Sequence, residues 1–250
     1  MATFAAIVTA AGKSTRFGDR NYKKPFAMLG GRAVWLHSAD RFLNRADVKQ
    51  TIITIAPEDR EDFDRKFGAN IAIMGIQVVE GGEHRADSVQ RALERVANDV
   101  EFVAVHDAAR PCIAEKWIDQ VFEAAVRTGA AILAAPVAET LKRVDGRKQI
   151  TATLDRQSLW AAQTPQVFRR ELLIEAYAKR GTVTGANAAT DDAQLVERLG
   201  HPVTVVPCSL MNLKITTRDD LRLAEQVLKV LPKPKPDGFN HPFAGDDLFR

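Results

Sequence analysis

The chain carries an apolar strand and a turn of small residues near its start, in Phe4-Ala-Ala-Ile-Val-Thr-Ala-Ala-Gly-Lys-Ser-Thr-Arg-Phe-Gly18, followed by Lys23-Lys24-Pro25-Phe26. Small residues let the backbone approach a ligand closely, and the N–H groups of such a turn bind anions. Arg16 and Lys24 add two cations beside the turn. The stretch therefore predicts a cradle for a polyphosphate, and with it nucleotide chemistry.

Short β-branched runs alternate with helical patterns along the rest of the chain. This alternation predicts an α/β fold with a mostly parallel, doubly wound sheet, in which ligands bind beyond the carboxyl ends of the strands. The predicted strands are Ala5–Thr9, Thr51–Ile55, Gln77–Val79, Phe102–His106, Ala131–Ala135 and Val203–Val206. The predicted helices are Ala33–Asn44, Ser88–Asn98, Glu115–Thr128, Arg170–Lys179 and Arg218–Val230, the last with a capped start in Thr217-Arg-Asp-Asp.

Two segments interrupt this alternation. Residues 140–153 are polar, and their Asp145-Gly146 pair predicts a hairpin turn, so we expect an arm that projects from the body. Residues 231–250 begin with Leu-Pro-Lys-Pro-Lys-Pro, which cannot continue a helix. We therefore expect one domain over residues 1–230 and a loosely ordered tail over 231–250.

Composition and charge exclude several classes of protein. Lys and Arg total 35 against 32 Asp and Glu, and this balance gives no support to nucleic-acid binding. No apolar run reaches the length of about 20 residues that spans a bilayer, and we expect no signal peptide or membrane association. The two cysteines, Cys112 and Cys208, lack a metal-site spacing, so we expect a reduced, cytoplasmic protein.

Several motifs sit where strands end, and each also has a plain structural interpretation. Gly12-Lys13-Ser14-Thr15 looks like the end of a Walker A loop, but that motif needs a glycine where Ile7 stands, which disfavours a P-loop NTPase. Asp107 follows a buried-type strand and either binds a ligand or Mg²⁺ or caps the next turn and pairs with Arg110. Gly81-Gly82 permits close backbone approach before a helix that Ser88 or Asp87 caps.

Taken together, these segments resemble the 2-C-methyl-D-erythritol 4-phosphate cytidylyltransferase family. The similarity runs in the family's order over about residues 4 to 230. The matching blocks are Ala10-Ala11-Gly12, Arg16, Lys24, Gly81-Gly82, Arg85-Ala86-Asp87-Ser88-Val89, His106-Asp107-Ala108-Ala109-Arg110-Pro111, Ala135-Pro136-Val137, Thr140-Leu141-Lys142-Arg143, Asp155-Arg156, Leu159-Trp160, Thr164-Pro165-Gln166, Thr190-Asp191 and Lys214.

The resemblance implies a Rossmann-like nucleotidyltransferase fold and a homodimer whose arm crosses to the other subunit. It implies transfer of a cytidylyl group from CTP to a polyol phosphate, 2-C-methyl-D-erythritol 4-phosphate, with Mg²⁺, in non-mevalonate isoprenoid biosynthesis. It also implies roles for individual residues. Arg16 and Lys24 match the cations on the triphosphate, and Arg156 and Lys214 match those that position the acceptor phosphate. The CTP-site matches are Ala10, Ala11, Gly12, Gly82, Arg85, Ser88 and Asp107, of which Asp107 is also the candidate Mg²⁺ ligand; the acceptor-site matches are Arg110, Thr140, Thr164 and Thr190.

Three departures from the family pattern and two alternative functions accompany the resemblance. The chain has Lys23-Lys24-Pro25 where Pro-Lys-Gln is usual, Ser14 where glycine is common, and Glu83-His84 in place of Asp-Glu. One alternative is a ribitol-5-phosphate cytidylyltransferase, whose family tends to have Ala-Gly-Gly in the first loop instead of Ala-Ala-Gly. The other is a nucleotide-binding regulator without catalytic activity.

Overall fold

A computed structural model of the chain describes residues 1–12, 26–181 and 189–232. In those residues the strands are β1 (Phe4–Thr9), β2 (Met28–Leu29), β3 (Arg32–Ala33), β4 (Val48–Ile55), β5 (Gln77–Glu80), β6 (Phe102–Asp107), β7 (Ala130–Pro136), β8 (Lys142–Val144), β9 (Ile150–Thr153), β10 (Trp160–Arg169) and β11 (Thr204–Pro207). The helices are α1 (Val34–Leu43), α2 (Arg60–Met74), α3 (Arg85–Leu93), α4 (Glu115–Thr128), α5 (Arg170–Ala178), α6 (Asp192–Glu197) and α7 (Arg218–Val230).

The central sheet has the strand order β11-β7-β10-β6-β1-β4-β5 within the described residues. Neighbouring strands are parallel except for β10, which runs antiparallel to both β6 and β7. Successive residues of each strand face opposite sides. In β1, Phe4 and Ala6 pack with α4 and α7, whereas Ala5 and Ile7 pack with α3, α5 and α6. Helices thus cover both faces, which confirms the predicted doubly wound, mostly parallel α/β fold.

The predicted strands and helices are all present, with small shifts at their ends. The helix predicted at Ser88–Asn98 instead spans Arg85–Leu93, because the Asp87 carboxylate accepts a hydrogen bond from the His84 backbone N–H at 2.9 Å and starts the helix earlier. The capped start at Thr217 is confirmed, since its hydroxyl accepts from the Asp220 N–H at 3.2 Å. The described part of the chain contains no helix long and apolar enough to cross a bilayer.

Besides the two-residue strands β2 and β3, three longer elements were missed, and each for a physical reason. Helix α2 buries only Phe63 fully, with Phe67, Ile71 and Met74 partly buried, and its exposed Ile73 and charged first turns weaken the helical period in the sequence. Strand β10 contains Pro165, which lacks the N–H that a ladder needs, and its pairing with β7 is interrupted by an irregularity between Ala162 and Gln166. Helix α6 has six residues, which is too short for helical periodicity to appear.

The predicted arm is a two-stranded hairpin of β8 and β9. The Asp145 carboxylate closes its turn by accepting from the backbone N–H groups of Arg147 and Gln149 at 2.8 and 2.9 Å. The positive φ of this turn falls on Lys148, at 63°, rather than on the Asp-Gly pair. Residues 233–250 of the predicted tail lie outside the described residues, but Leu231 is buried with the core beneath α7. The domain boundary at 230 stays a prediction.

The cap of α7 provides a test of local stability. We expect Thr217→Ala to lower the free energy of unfolding by about 1 kcal/mol, because one N–H at the helix start loses its partner. Urea denaturation of the native and variant proteins measures the change. Arg222→Ala is the matched control, since Arg222 lies in the same helix with an 84% exposed side chain in a surface ion pair. An equal loss in both variants would contradict the assigned cap.

Candidate active site

The carboxyl ends of β1, β5 and β6 meet at one edge of the sheet, and Asp107 is the last residue of β6. Its carboxylate is nearly buried and has polar partners on both oxygens. Oδ1 accepts from Arg85 Nε at 3.2 Å and from the Thr9 hydroxyl at 3.3 Å. Oδ2 accepts from Lys214 Nζ at 2.7 Å, and Arg110 Nε lies 3.8 Å away. One buried anion is thus surrounded by three cations.

These cations determine the charge state of Asp107. Burial alone would raise its pKa, but Arg85, Lys214 and Arg110 together hold that pKa well below its ordinary value. Asp107 is therefore ionised at neutral pH. Of the two sequence interpretations, the pairing of Asp107 with Arg110 is present in the structure, and the binding of a ligand or Mg²⁺ by Asp107 stays a prediction.

Arg85 links Asp107 to a second carboxylate, Asp192. Arg85 Nη1 donates to Asp192 Oδ2 at 2.8 Å, and the Tyr177 hydroxyl donates to Asp192 Oδ1 at 2.5 Å. Asp192 is fully buried at the start of α6. The Gln166 side-chain oxygen accepts from the backbone N–H of Asp192 at 3.1 Å, which attaches α6 to β10. This arrangement fixes Arg85 between two anions, and burial together with Asp192 raises the pKa of Tyr177.

The Gly81-Gly82 turn packs directly against the loop that follows β1. A Cβ atom at Gly81 would collide with Ala11 and would lie 2.7 Å from the Ser88 hydroxyl oxygen, so this close approach requires glycine. The Gly82 N–H donates to the Ser88 hydroxyl at 3.1 Å, and that hydroxyl donates to the His84 carbonyl at 3.2 Å. Ala11 therefore lies directly beside the glycine turn, and Ala10 and Gly12 adjoin Ala11 in the chain.

Thr164 reaches Asp107 from the neighbouring antiparallel strand. Its hydroxyl accepts from the Asp107 backbone N–H at 3.0 Å. His106 lies beneath, fully buried against Phe42, and burial lowers its pKa to about 4. His106 is therefore a neutral, packed strand residue.

The remaining predicted residues lie apart from this cluster or outside the described residues. Thr140 and Arg156 are exposed at the two ends of the arm, and neither makes a hydrogen bond or ion pair with Asp107 or its cations. Thr190 is exposed two residues before Asp192, at the start of α6. Arg16 and Lys24 belong to the segment 13–25, which lies outside the described residues.

Sequence reasoning missed two residues of the site, Asp192 and Asn212. Asn212 is fully buried, and its backbone carbonyl accepts from Arg110 Nη1 at 2.7 Å. Asp192 directly follows Thr190-Asp191, and Asn212 begins the motif Asn212-Leu213-Lys214 in which only Lys214 received a role; nothing local in the sequence showed that the two residues are buried. The one local signal for Asp192 and Asn212 is that each is a polar residue close to a block that matches the family.

Comparisons with known proteins agree in one family. The model for "IspD: 2-C-methyl-D-erythritol 4-phosphate cytidylyltransferase" matches residues 4–230. The protein of that name from Rhodopirellula baltica is 44% identical over an alignment of 239 residues, covering 91% of this chain and 95% of that protein. The one from Syntrophus aciditrophicus is 42% identical over 228 residues, covering 90% and 95%. The crystal structure of the Thermus thermophilus protein has a TM-score of 0.73 at 32% identity and covers 92% of this chain and 100% of that one.

The buried Arg85–Asp192 pair can be tested by its effect on stability. We expect Asp192→Asn to lower the free energy of unfolding by about 2 kcal/mol, because the buried side chain loses its charge-assisted hydrogen bond with Arg85, which keeps its contact with Asp107. Urea denaturation measures the loss. The control is Asp191→Asn, at the neighbouring carboxylate that caps α6 by accepting from the Gln194 N–H at 3.0 Å. An asparagine oxygen caps a helix about as well, so the expected cost is below about 0.5 kcal/mol. Losses of the same size would contradict the pairing.

Proposed function

The chain belongs to the 2-C-methyl-D-erythritol 4-phosphate cytidylyltransferase family, and we propose that its residues divide the family reaction between two sides of Asp107. The reaction joins CTP and 2-C-methyl-D-erythritol 4-phosphate to give 4-diphosphocytidyl-2-C-methyl-D-erythritol and pyrophosphate, in isoprenoid biosynthesis. The observation that carries the division is the position of Asp107, which contacts Arg85 on one side and Lys214 and Arg110 on the other.

The chemistry explains why the site consists of cations and not of a general base. The acceptor is a phosphate monoester with a second pKa of about 6, so it is largely a dianion at neutral pH and attacks without losing a proton. An anion must then approach a triphosphate, and the barrier arises from charge and orientation. In the attack, an oxygen of the acceptor phosphate forms a bond to the α-phosphorus of CTP, and the bond to the departing pyrophosphate breaks.

On the nucleotide side, we assign CTP to the glycine turn and the loop after β1. Close packing of Ala11 against Gly81, and the ordered Gly82–Ser88 contact, support a surface on which the nucleotide lies against the backbone. Arg85 and Asp107 adjoin that surface. Arg16 and Lys24 complete the assignment as the cations that stabilise the triphosphate during transfer. The residues that we assign to CTP are Ala10, Ala11, Gly12, Gly82, Arg85, Ser88 and Asp107, with Arg16 and Lys24.

On the acceptor side, we assign the phosphate of the substrate to Lys214 and Arg156, with Arg110, Thr140, Thr164 and Thr190 around the polyol. The side chain of Lys214 is 40% exposed while its ammonium group contacts Asp107. It can therefore turn toward an incoming phosphate and exchange one anion for another. Arg110 lies near the Asp107 carboxylate and Thr164 accepts from the Asp107 N–H, and we assign both to holding the acceptor in line with the α-phosphorus.

Mg²⁺ fits this site through Asp107 and the nucleotide together. The described residues contain no group of three His, Cys, Asp or Glu side chains that could hold a metal ion. Asp107 supplies a carboxylate oxygen, and Mg²⁺ in nucleotide sites is commonly held by one or two carboxylates plus substrate phosphates. We therefore assign Asp107 and the phosphates of CTP as its ligands. The bound cation offsets negative charge on the phosphates.

The arm supports assembly as a homodimer. Four large apolar side chains on and beside it are exposed by 36% to 65%, and a hairpin alone is marginally stable in water. Packing against a second copy would cover these side chains and bring Thr140 and Arg156 to the partner's site. The four exposed apolar side chains are Val144, Ile150, Leu159 and Trp160. We also assign the protein to the cytoplasm, where its free thiols, Cys112 and Cys208, would stay reduced.

The substrate assignment is tested by turnover. We expect pyrophosphate release with CTP and 2-C-methyl-D-erythritol 4-phosphate to exceed that with ribitol 5-phosphate by at least about tenfold in kcat/KM, a difference of about 1.4 kcal/mol in transition-state binding. A coupled pyrophosphate assay with each nucleoside triphosphate and both polyol phosphates measures this. Equal or faster turnover of ribitol 5-phosphate would establish the alternative substrate, and binding of CTP without any turnover would establish a regulator.

The shared site is tested by mixing two inactive variants, Lys24→Ala and Thr140→Arg. If Thr140 acts across the interface, each heterodimer contains one site with both native residues. Random exchange makes half of the dimers mixed and restores one of two sites in each, so about a quarter of native activity should return. Native mass spectrometry confirms the exchange. No recovery in a mixture shown to contain heterodimers, or full activity of a monomer, would refute the arrangement.

A further inference from the structure

A closed ring of hydrogen bonds lies beneath the acceptor side of the site. Arg110 Nη1 donates to the Asn212 carbonyl at 2.7 Å, and Asn212 Nδ2 donates to the Thr164 carbonyl at 2.9 Å. The Thr164 hydroxyl lies 3.1 Å from His106 Nδ1, and His106 Nε2 lies 3.1 Å from the Arg110 carbonyl. The ring therefore joins two proposed acceptor residues, Arg110 and Thr164, through two residues with no assigned role.

The directions of these bonds are fixed by the chemistry of the partners. A carbonyl can only accept, so His106 Nε2 carries the proton that Arg110 receives at its carbonyl. In the neutral ring Nδ1 is then an acceptor, and the Thr164 hydroxyl donates to it. That hydroxyl also accepts from the Asp107 N–H at 3.0 Å. Every contact thus pairs one donor with one acceptor, and the ring has a single consistent arrangement.

Asn212 connects the loop after β11 to the other residues of the ring. It is fully buried, and its Nδ2 also donates to Gln163 Oε1 at 2.9 Å. The loop that contains it leaves β11 and continues to Lys214, whose ammonium group contacts Asp107. Residues 110, 164 and 214 come from three distant stretches of sequence, and Asn212 contacts the first two and lies two residues before the third.

We propose that Asn212 is a positioning residue for the acceptor, acting through Arg110, Thr164 and Lys214 without touching the substrate. This inference rests on the proposed function. The nucleotide-side residues Gly82, Arg85 and Ser88 are outside the ring, and their contacts run instead to His84, Asp107 and Asp192. A defect at Asn212 should therefore appear in the use of the acceptor and not in the binding of CTP.

Asn212→Ala removes both side-chain donors and leaves the buried oxygens of Thr164 and Gln163 unpaired. An unpaired buried group is costly enough to displace the loop, and we expect the KM for 2-C-methyl-D-erythritol 4-phosphate to rise by about tenfold or more. The Kd for CTP, measured by calorimetry without acceptor, should change less than about twofold. The control is Gln163→Met, which removes one Asn212 contact outside the ring. It should lower Tm while leaving the acceptor KM within about twofold of native.

His106→Leu breaks the ring at the opposite corner and provides a second variant if Asn212→Ala does not fold. It should produce the same selective rise in acceptor KM. A folded ring variant with native acceptor KM, or with CTP affinity lost in parallel, would overturn the inference. The native protein is assayed in the same series. If it releases no pyrophosphate from CTP and the acceptor, the proposed function itself fails, and that result is distinct from an unselective loss in the variants.

Discussion

The site depends on one buried carboxylate that is compensated by three cations. Asp107 stands at the end of a strand whose residues are all buried, where an isolated charge would be unstable. Arg85, Lys214 and Arg110 stabilise the negative charge of Asp107. Because a buried carboxylate needs cations nearby, their charged groups lie within 4 Å of it. The result is a cluster with excess positive charge, which suits the two anionic substrates of the proposed site. Catalysis of this kind relies on charges placed in advance, not on proton transfer.

Two of the three cations around Asp107 also form a hydrogen bond with a second residue, and these bonds hold the cations in position. Arg85 is held by Asp192, which Tyr177 and the start of α6 support in turn. Arg110 is held by the carbonyl of Asn212. Lys214 differs from both, since its ammonium group contacts Asp107 while its side chain is the most exposed of the three. Of these cations, Lys214 is therefore the one best suited to exchange Asp107 for a substrate phosphate.

The fold could be predicted where the sequence pattern reflects local physics. Strands β1, β6 and β7 are continuous apolar runs because both faces of the sheet are covered, and such runs are visible without any structure. Helix α2 and strand β10 could not be predicted in this way. The first has charged opening turns and an exposed Ile73, which weaken the period of its apolar positions. The second contains a proline that argues against a strand until its neighbours on both sides are known.

The sequence by itself determined the family, the strand–helix alternation and the residue types of the site, because these depend on motifs and periods within short segments. It also indicated the hairpin, whose turn is closed by Asp145 within the same segment. Beyond the local pairing of Asp107 with Arg110, only the tertiary structure decided which residues compensate Asp107 and which support them. Arg85 and Asp192 are 107 positions apart, as are Asp107 and Lys214, and a contact over that distance is created by packing of the sheet and its helices. Burial turned Asp192 and Asn212 from ordinary polar residues into parts of the site, and burial is a property of the folded chain.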